Sequence, residues 1–153
     1  MNTFLLICSI YPMKIKVQRL RDIDLPAYSH RGDSGVDLVN ASEDITLSPG
    51  ERRLVPSGIR VALPEGYELQ VRSRSGLALK KGVMVLNSPG TVDSGYRGEI
   101  GVILFNASGS DILIEKDSRI AQAVLQKVEN ISWQETESLP ASGRQEGGFG
   151  STG

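Results

Sequence analysis

Apolar and polar residues alternate along most of the chain with the period of two that is typical of β-strands. Ile15 and Val17 alternate with polar neighbours, and so do Ile120, Val124 and Val128. The last three also fit helical spacing, but the surrounding strand pattern favours a strand. The sequence therefore predicts an all-β protein with strands over residues 15–19, 34–38, 53–63, 67–71, 83–86, 98–106, 112–114 and 120–128.

Two places interrupt this alternation. Residues 53–63 alternate around Pro56 and Gly58, which predicts a long hairpin with a bulge or a break inside it. Ser75 and Gly76 can end a strand and start a short helix over residues 77–80, which Gly82 would stop.

The start of this helix is a candidate anion site. Free backbone N–H groups in the first helical turn, together with the guanidinium group of Arg74 and the hydroxyl of Ser75, would attract a negative charge. The alternative is a capped helix with a basic turn that faces solvent.

Residues 87–99 lie between two apolar runs and are rich in Gly, Pro and Ser, which predicts a hairpin-like loop between two strands. The loop holds Asp93 and Tyr96, an acid and a ring that could form a pocket for a flat polar ligand. Alternatively, Asp93 is a turn former and Tyr96 is a half-buried strand residue. Asp37 lies between apolar neighbours, so on a strand it points to the opposite face, either to solvent or into a site.

Composition narrows the possible chemistry. A length of 153 residues predicts one domain, and 17 Gly and 7 Pro indicate many turns and few long helices. The net charge of −1 argues against a general nucleic-acid binder. The single Cys8 excludes an intrachain disulfide framework and suits a reducing, cytoplasmic compartment. The single His30 leaves little room for Ser-His-Asp chemistry or for a histidine-rich metal site.

The two ends of the chain differ from its middle. Residues 1–12 include an apolar run that is too short to span a bilayer, so no membrane association is expected. The strand pattern begins at Met13, which is a candidate for the true start, and residues 1–12 are treated as an extension of unknown standing. Residues 13–139 are the expected β domain.

Residues 140–153 are expected to be a mobile, glycine-rich segment. They contain one large apolar residue, Phe149, among Gly, Ser and Thr, and cannot bury a core of their own. They are either a disordered tail or a lid in which Arg144 grips phosphate and Phe149 stacks on a ring.

Five short motifs follow one another in order along residues 13–153, and together they provide what a nucleoside polyphosphate needs. They supply cations and amides for phosphates, carboxylates for a metal and a water, and an aromatic lid for a base. The motifs are SGVDL at 34–38, RSGLA at 74–78, Asn87 with GTVDSGYRG at 90–98, RIAQ at 119–122, and Arg144 with GGFGSTG at 147–153. This set resembles the five motifs of the homotrimeric dUTP diphosphatases (dUTPases), with Ser73 at a position where that family frequently has proline.

The resemblance implies a fold and an assembly. The fold is a distorted jelly-roll β-sandwich or barrel with one short helix. The assembly is a homotrimer in which each active site draws on three chains. The second and fourth motifs come from one chain, the third motif from another, and the tail from the third.

The resemblance also implies an activity, the hydrolysis of dUTP to dUMP and diphosphate, which limits uracil incorporation into DNA and supplies dUMP for thymidylate synthesis. Asp93 would be the catalytic residue that activates the water attacking the α-phosphorus. Mg²⁺ would bridge the triphosphate, and Asp37 would reach this ion through water. Tyr96 would pack under the deoxyribose, and the hairpin with Asn87 would read the uracil edge.

The substrate-binding residues that the resemblance implies are Arg74, Ser75, Gly76, Asn87, Gly90, Thr91, Val92, Asp93, Tyr96, Gly101, Gln122, Arg144, Phe149, Gly150, Ser151 and Thr152. Three alternatives stay open at this point. A dCTP deaminase of the same fold would attack the base, although Asp93 and the complete tail motif favour the diphosphatase. The others are a non-catalytic dUTPase-like binding protein and a structural jelly roll, which would have no use for the tail.

Overall fold

The computed structural model describes residues 13–143 and residue 146. Within this part of the chain the fold is all-β with one short helix, which confirms the prediction from the alternation. The strands are β1 (Lys16–Arg19), β2 (Val36–Val39), β3 (Ile45–Leu47), β4 (Arg52–Pro56), β5 (Ile59–Ala62), β6 (Tyr67–Arg72), β7 (Val83–Val85), β8 (Gly90–Val92), β9 (Gly101–Asn106), β10 (Ile112–Ile114) and β11 (Arg119–Lys127), and the helix is α1 (Ser75–Lys81).

The strands form two sheets and two ribbons, and every strand pair is antiparallel. The larger sheet has the order β2-β11-β6-β8, and the smaller sheet has the order β4-β9-β7. The ribbons are β1-β5 and β3-β10. Because the chain crosses repeatedly between the sheets, the result is the distorted jelly-roll sandwich that the sequence predicts.

Aliphatic side chains from both sheets form one core. Leu38 and Ile120 come from the larger sheet and Val102 and Leu104 from the smaller one, and each is almost completely buried. Burial of one such side chain contributes roughly 1.5–3 kcal/mol, so this shared core fixes the two sheets against each other.

The hairpin predicted over residues 53–63 is wrong. β4 pairs with β9 and β5 pairs with β1, so the two halves of this segment belong to different sheets. The break falls at Gly58, which has a positive φ of 77° and leaves no room for a Cβ beside Ala41. The amide of Gly58 donates to the Glu99 carboxylate at 2.9 Å. The sequence pattern located the break, but it could not show that the strands on either side pair elsewhere.

The hairpin-like connection over residues 87–99 is confirmed and has an additional strand. β7 and β9 pair as expected, but between them β8 leaves the smaller sheet and pairs with β6 of the larger one. This strand has only three residues and begins with glycine, so it carries no alternation that a sequence pattern could reveal. Its consequence is that Asp93 follows directly on a strand that is anchored in the larger sheet.

The remaining predictions for the later part of the chain are confirmed. Residues 119–127 form a strand and not a helix. The helix predicted over 77–80 begins slightly earlier, at Ser75, and ends at Gly82, whose φ is 66° and whose N–H donates to the Ala78 carbonyl at 3.0 Å.

Two buried asparagines occupy equivalent places beside the β3–β10 ribbon. Asn40 and Asn106 are each followed by Ala-Ser, and each is completely buried. The Oδ1 atom of Asn40 accepts hydrogen bonds from the N–H and the hydroxyl of Ser42. The Oδ1 atom of Asn106 accepts the same two bonds from Ser108. We call these two arrangements the asparagine clasps.

Each clasp joins its own loop to the far strand of the ribbon. Asn40 Nδ2 donates to the carbonyl of Ile114, at the end of β10, at 3.3 Å. Asn106 Nδ2 donates to the carbonyl of Leu47, at the end of β3, at 2.8 Å. Since buried amides are costly when unpaired, these bonds specify how the ribbon closes against the sheets.

Candidate active site

Asp37 lies on β2, and its carboxylate bridges two arginines that come from different motifs. Its Oδ1 forms an ion pair with Arg74 Nε at 2.8 Å, and its Oδ2 accepts a hydrogen bond from Arg119 Nη1 at 3.2 Å. Arg74 Nη1 also donates to the Arg119 carbonyl at 3.2 Å. The side chain of Asp37 is only 22% exposed, so it points into this cluster and not freely into solvent.

The turn from β6 into α1 brings Arg74, Ser75 and Gly76 together. Arg74 is the N-cap of the helix and has an extended backbone, and its carbonyl accepts the N–H groups of Leu77 and Ala78. Ser75 and Gly76 are exposed in the first turn, and no acidic residue lies there to compete with an anion. This turn therefore presents a cation, a hydroxyl and exposed backbone on one side of the molecule.

Gln122 supports that turn through a hydrogen bond to the main chain of Ser73. It lies in β11 at the centre of the larger sheet, with Asp37 and Arg72 as its partners on the two neighbouring strands. Its Nε2 atom donates to the carbonyl of Ser73 at 2.9 Å. The hydrogen bond therefore ties the fourth motif to the residue that precedes Arg74.

A second group of predicted residues lines a separate pocket at the end of β8. The pocket has a volume of about 160 Å³, and Asp93 is exposed at its edge. Within the described part of the chain no cation lies within ion-pair distance of the Asp93 carboxylate. The lining residues are Thr91, Val92, Asp93, Tyr96, Ile100 and Gly101.

Tyr96 is held in place by the loop that carries it. Its N–H donates to the Asp93 carbonyl at 3.1 Å, and its hydroxyl donates to the Glu99 carbonyl at 3.0 Å. Arg97 Nη1 donates to the carbonyls of Ser94 and Tyr96. The ring is 47% exposed and lies outside any strand, so the alternative of a half-buried strand residue is wrong.

Asn87 and Gly90 lie at the start of the same loop. Gly90 is buried in β8, opposite Val71 of β6. A Cβ at Gly90 would lie 3.2 Å from Nδ2 of Asn87, so the amide rests directly against this strand. Asn87 itself is exposed, which leaves its remaining polar groups accessible from solvent.

Two pockets are thus lined by different predicted residues. Arg74 lines a pocket of about 200 Å³ with Arg119 and Leu77, while Asp93 and Tyr96 line the pocket at the end of β8. The predictions for Arg144, Phe149, Gly150, Ser151 and Thr152 fall on residues outside the described part of the chain.

Sequence reasoning assigned no role to Arg119 or Arg97, although both lie inside the motifs. Arg119 precedes a predicted strand, and its pairing with Asp37 depends on a register between β2 and β11 that the sequence does not reveal. Arg97 follows Tyr96, and only the folded turn shows that its side chain returns to bind the loop carbonyls.

Two pKa shifts occur away from these groups. The N–H of Ser48 and the guanidinium of Arg53 lower the pKa of Glu51, which lies at the turn before β4. Hydrogen bonding and attraction to Glu43 raise the pKa of Lys116. Both shifts reflect local contacts of partly exposed side chains.

Asp37 is the described carboxylate closest in kind to what a magnesium ion at this cluster needs. Among residues 13–143 and 146 no group of three or more His, Cys, Asp or Glu side chains lies close enough to hold a metal. Both Asp37 oxygens already form ion pairs with arginine. Mg²⁺ commonly keeps several waters and binds through one or two carboxylates plus substrate phosphates, so a water-mediated contact from Asp37 fits this site.

No helix in the described part of the chain is long and apolar enough to cross a membrane.

Fold and site together define a class: a jelly-roll protein with two arginines beside the start of its helix and a pocket that combines a carboxylate with an aromatic ring. Comparison with known proteins identifies the family within this class. The dUTPase family model matches residues 21–153. The chain belongs to the dUTPase family, as its five motifs predict.

Relatives and solved structures agree with this membership. The chain is 54% identical over 142 residues to the deoxyuridine 5'-triphosphate nucleotidohydrolase of Hydrogenobaculum sp., covering 92% of this chain and 99% of that protein. It is 51% identical to the protein of the same name from Fusobacterium nucleatum, covering 92% and 97%. A variant of the dUTPase of Staphylococcus bacteriophage 80alpha, solved with dUpNHpp, has a TM-score of 0.83 at 26% identity and covers 92% and 98%.

Proposed function

We propose that this protein hydrolyses dUTP to dUMP and diphosphate. The observation that carries the proposal is the pocket in which the Asp93 carboxylate, free of ion pairs within the described residues, lies beside Tyr96. The curated relatives at 51–54% identity bear the name of this activity, and the phage relative binds the analogue dUpNHpp. The fold alone would not select a substrate, but the family and the pocket together favour this one.

Asp93 is the residue that activates water in this proposal. Its carboxylate orients the water that attacks the α-phosphorus and accepts the proton that the water loses. The new P–O bond forms as the bond from the α-phosphorus to the bridging oxygen breaks, and diphosphate leaves. Asp93 also contacts the 3'-hydroxyl of the sugar. General-base catalysis of this kind contributes on the order of 10²–10⁴ in rate.

The loop that carries Asp93 provides selectivity. Tyr96 packs against the deoxyribose and leaves no room for a 2'-hydroxyl. The uracil edge binds to Asn87 and to main-chain groups of Gly90, Thr91 and Val92, with Gly101 close by on β9. Cytosine is rejected because it would leave buried polar groups of such a site unpaired.

The triphosphate binds at the turn that precedes α1. Arg74, Ser75 and Gly76 contact phosphate oxygens, and Gln122 supports this region from β11. The tail completes the site as a lid: Phe149 stacks on uracil, and the terminal phosphate is bound by Arg144, Gly150, Ser151 and Thr152. Closure excludes water other than the attacking molecule.

Magnesium is the proposed cofactor. When bound to the triphosphate, Mg²⁺ supplies charge neutralisation for the phosphoryl transfer. Asp37 would hold the ion through water, because both of its oxygens already pair with Arg74 and Arg119. The arginine pair keeps this carboxylate in one orientation toward the phosphates.

We also propose a homotrimer with active sites shared between chains. Two features of the single chain support it: Arg74 and Asp93 line different pockets, and the outer face of the smaller sheet exposes large apolar side chains. On and beside that face Leu54 is 67% exposed, Leu86 43% and Met84 36%, which favours burial against another copy. The lone cysteine supports a cytoplasmic location.

The test is a nucleotide panel with diphosphate release as the signal. With Mg²⁺ present, dUTP is expected to be hydrolysed in preference to dCTP, dTTP and UTP. Ammonia release from dCTP would instead indicate a deaminase. Binding of dUTP without diphosphate release at micromolar protein would indicate a non-catalytic member of the family. Sedimentation should show a trimer, and a stable active monomer would contradict the shared site.

A further inference from the structure

Ser73 lies between β6 and Arg74, and all of its polar groups are engaged. Its N–H donates to Ser88 Oγ at 3.4 Å. Its Oγ accepts the N–H of Val85 at 2.9 Å, and its carbonyl accepts Gln122 Nε2 at 2.9 Å. These partners lie in three segments: the loop after β7, the end of β7, and β11. Ser73 is therefore a junction at which three parts of the chain meet the residue next to Arg74.

The bond to Val85 joins the two sheets. Val85 ends β7 in the smaller sheet and is buried, and its N–H points away from β9 toward the larger sheet. This N–H donates its hydrogen bond to the hydroxyl oxygen of Ser73. Because a buried N–H without a partner is costly, the position of Ser73 is tied to the position of β7.

The Gln122 amide that donates to Ser73 also lies against Gly35. A Cβ at Gly35 would lie 3.0 Å from Gln122 Oε1 and 3.1 Å from Val124 Cγ2, so the absence of a side chain at Gly35 makes room for the Gln122 amide. The amide is enclosed between Gly35 and the Ser73 carbonyl. This geometry leaves Gln122 few alternative positions, so its hydrogen bond holds the end of β6 firmly.

We propose that Ser73, together with Gln122, is a positioning residue for the triphosphate. It sets the direction in which the chain leaves β6 and hence the place of Arg74, Ser75 and Gly76. The inference rests on the proposed function, because it takes a nucleoside triphosphate as the ligand of this turn. Where the family frequently has a proline, whose ring fixes φ, this chain fixes the same turn by hydrogen bonds.

The proposal is tested by comparing ligands that differ in their phosphates. In Ser73→Ala, we expect the Kd for dUpNHpp to rise between about tenfold and 10²-fold, because a misplaced binding turn costs this much. The Kd for dUMP, which lacks the outer phosphates, is expected to change less than the Kd for dUpNHpp. Ser73→Thr keeps the hydroxyl and should restore affinity for dUpNHpp. Calorimetric titration of the full chain measures all three.

Two further variants separate positioning from general stability. Gln122→Met keeps the side-chain length but removes the donor to Ser73. It should raise the Kd for dUpNHpp more than the Kd for dUMP, and it provides the test if Ser73→Ala does not fold. Ser57→Ala is the matched control, since Ser57 is buried and its hydroxyl has no hydrogen-bond partner among the described residues. We expect this control to leave both Kd values unchanged.

Two results for Ser73→Ala would overturn the positioning role. One is an equal rise of the Kd values for dUMP and dUpNHpp, and the other is a lower melting temperature with unchanged Kd values. Failure of the proposed function gives a different result. In that case the unsubstituted protein releases no diphosphate from dUTP. The ratio of the Kd values for dUpNHpp and dUMP, compared between Ser73→Ala and the unsubstituted protein, still tests the role of Ser73.

Discussion

Asp37 and Asp93, the two carboxylates of the candidate site, lie in opposite surroundings. Asp37 is on the edge strand β2 of the larger sheet, and each of its oxygens forms an ion pair with an arginine. Asp93 is exposed in a loop, and within the described residues no cation pairs with it. Its main-chain carbonyl accepts the N–H of Tyr96, so the backbone is fixed while the carboxylate stays available.

This difference assigns different work to two residues of the same type. A carboxylate that already pairs with two guanidinium groups holds those groups in place and leaves less room for a reactive water. A carboxylate without such partners can bind and deprotonate a water. The environment, and not the residue type, separates the two roles.

The largest effect is expected for the free carboxylate. Asp93→Asn keeps the shape of the loop and removes the proton acceptor, so kcat should fall by on the order of 10²–10⁴. Binding of dUpNHpp should persist, because the phosphate and base contacts are intact. Steady-state kinetics and calorimetry measure both. Retained turnover would remove Asp93 from the role of base.

A smaller effect is expected for the paired carboxylate. Asp37→Asn removes the negative charge that Arg74 and Arg119 share, and with it the proposed water-mediated contact to Mg²⁺. Changes of this kind cost roughly 10–100-fold in metal affinity or activity. The Mg²⁺ concentration needed for half-maximal rate should therefore rise. A loss of kcat as large as that of Asp93→Asn, at saturating Mg²⁺, would contradict the division of roles.

A still smaller effect on activity is expected for the Tyr96 hydroxyl, which holds the loop that carries Asp93 in place. Tyr96→Phe keeps the ring and deletes the hydroxyl that donates to Glu99. A typical hydrogen bond contributes about 0.5–1.5 kcal/mol, so kcat/KM for dUTP should fall by no more than roughly tenfold. Tyr96→Ala, which removes the ring, is the comparison. If both variants lose activity equally, the ring is not the feature that the sugar contacts.

The smallest effect is expected for Arg119→Gln measured by stability. The side chain of Arg119 is 57% exposed, and Asp37 keeps its bond to Arg74 in this variant. Exposed ion pairs contribute up to about 1 kcal/mol, so the free energy of unfolding should fall by no more than this. Urea denaturation measures it, with Arg53→Gln as a control away from the cluster. A loss of several kcal/mol would show that the cluster is structural.

The sequence predicts the strands well where alternation is long and fails where a strand is short or a break changes the sheet. β11 and β6 follow from their patterns. β8 has three residues and no usable pattern, and the separation of β4 from β5 depends on where each finds its partner. Pairing between distant strands is a tertiary property that local periodicity does not contain.

The residues of the candidate site were predicted from motif resemblance, while their contacts required the fold. Asp37 was expected to reach a metal through water, and the structure adds the two arginines that occupy it. The second arginine, Arg119, depends on the register between β2 and β11. Ser73 was noted only as a departure from the family motif, and its three hydrogen bonds explain why a serine serves there.

The asparagine clasps bear on the order in which the chain folds. The N–H of Asp117 donates to the Asn40 carbonyl, and the N–H of Gly50 donates to the Asn106 carbonyl, each at 2.8 Å. Both bonds connect residues far apart in sequence, so neither can form until most of the chain has collapsed. Closing such long loops costs entropy before any contact repays it, which slows folding of β-proteins. We expect the clasps to form late and together, so that substitution of Asn40 or Asn106 accelerates unfolding more than it slows refolding.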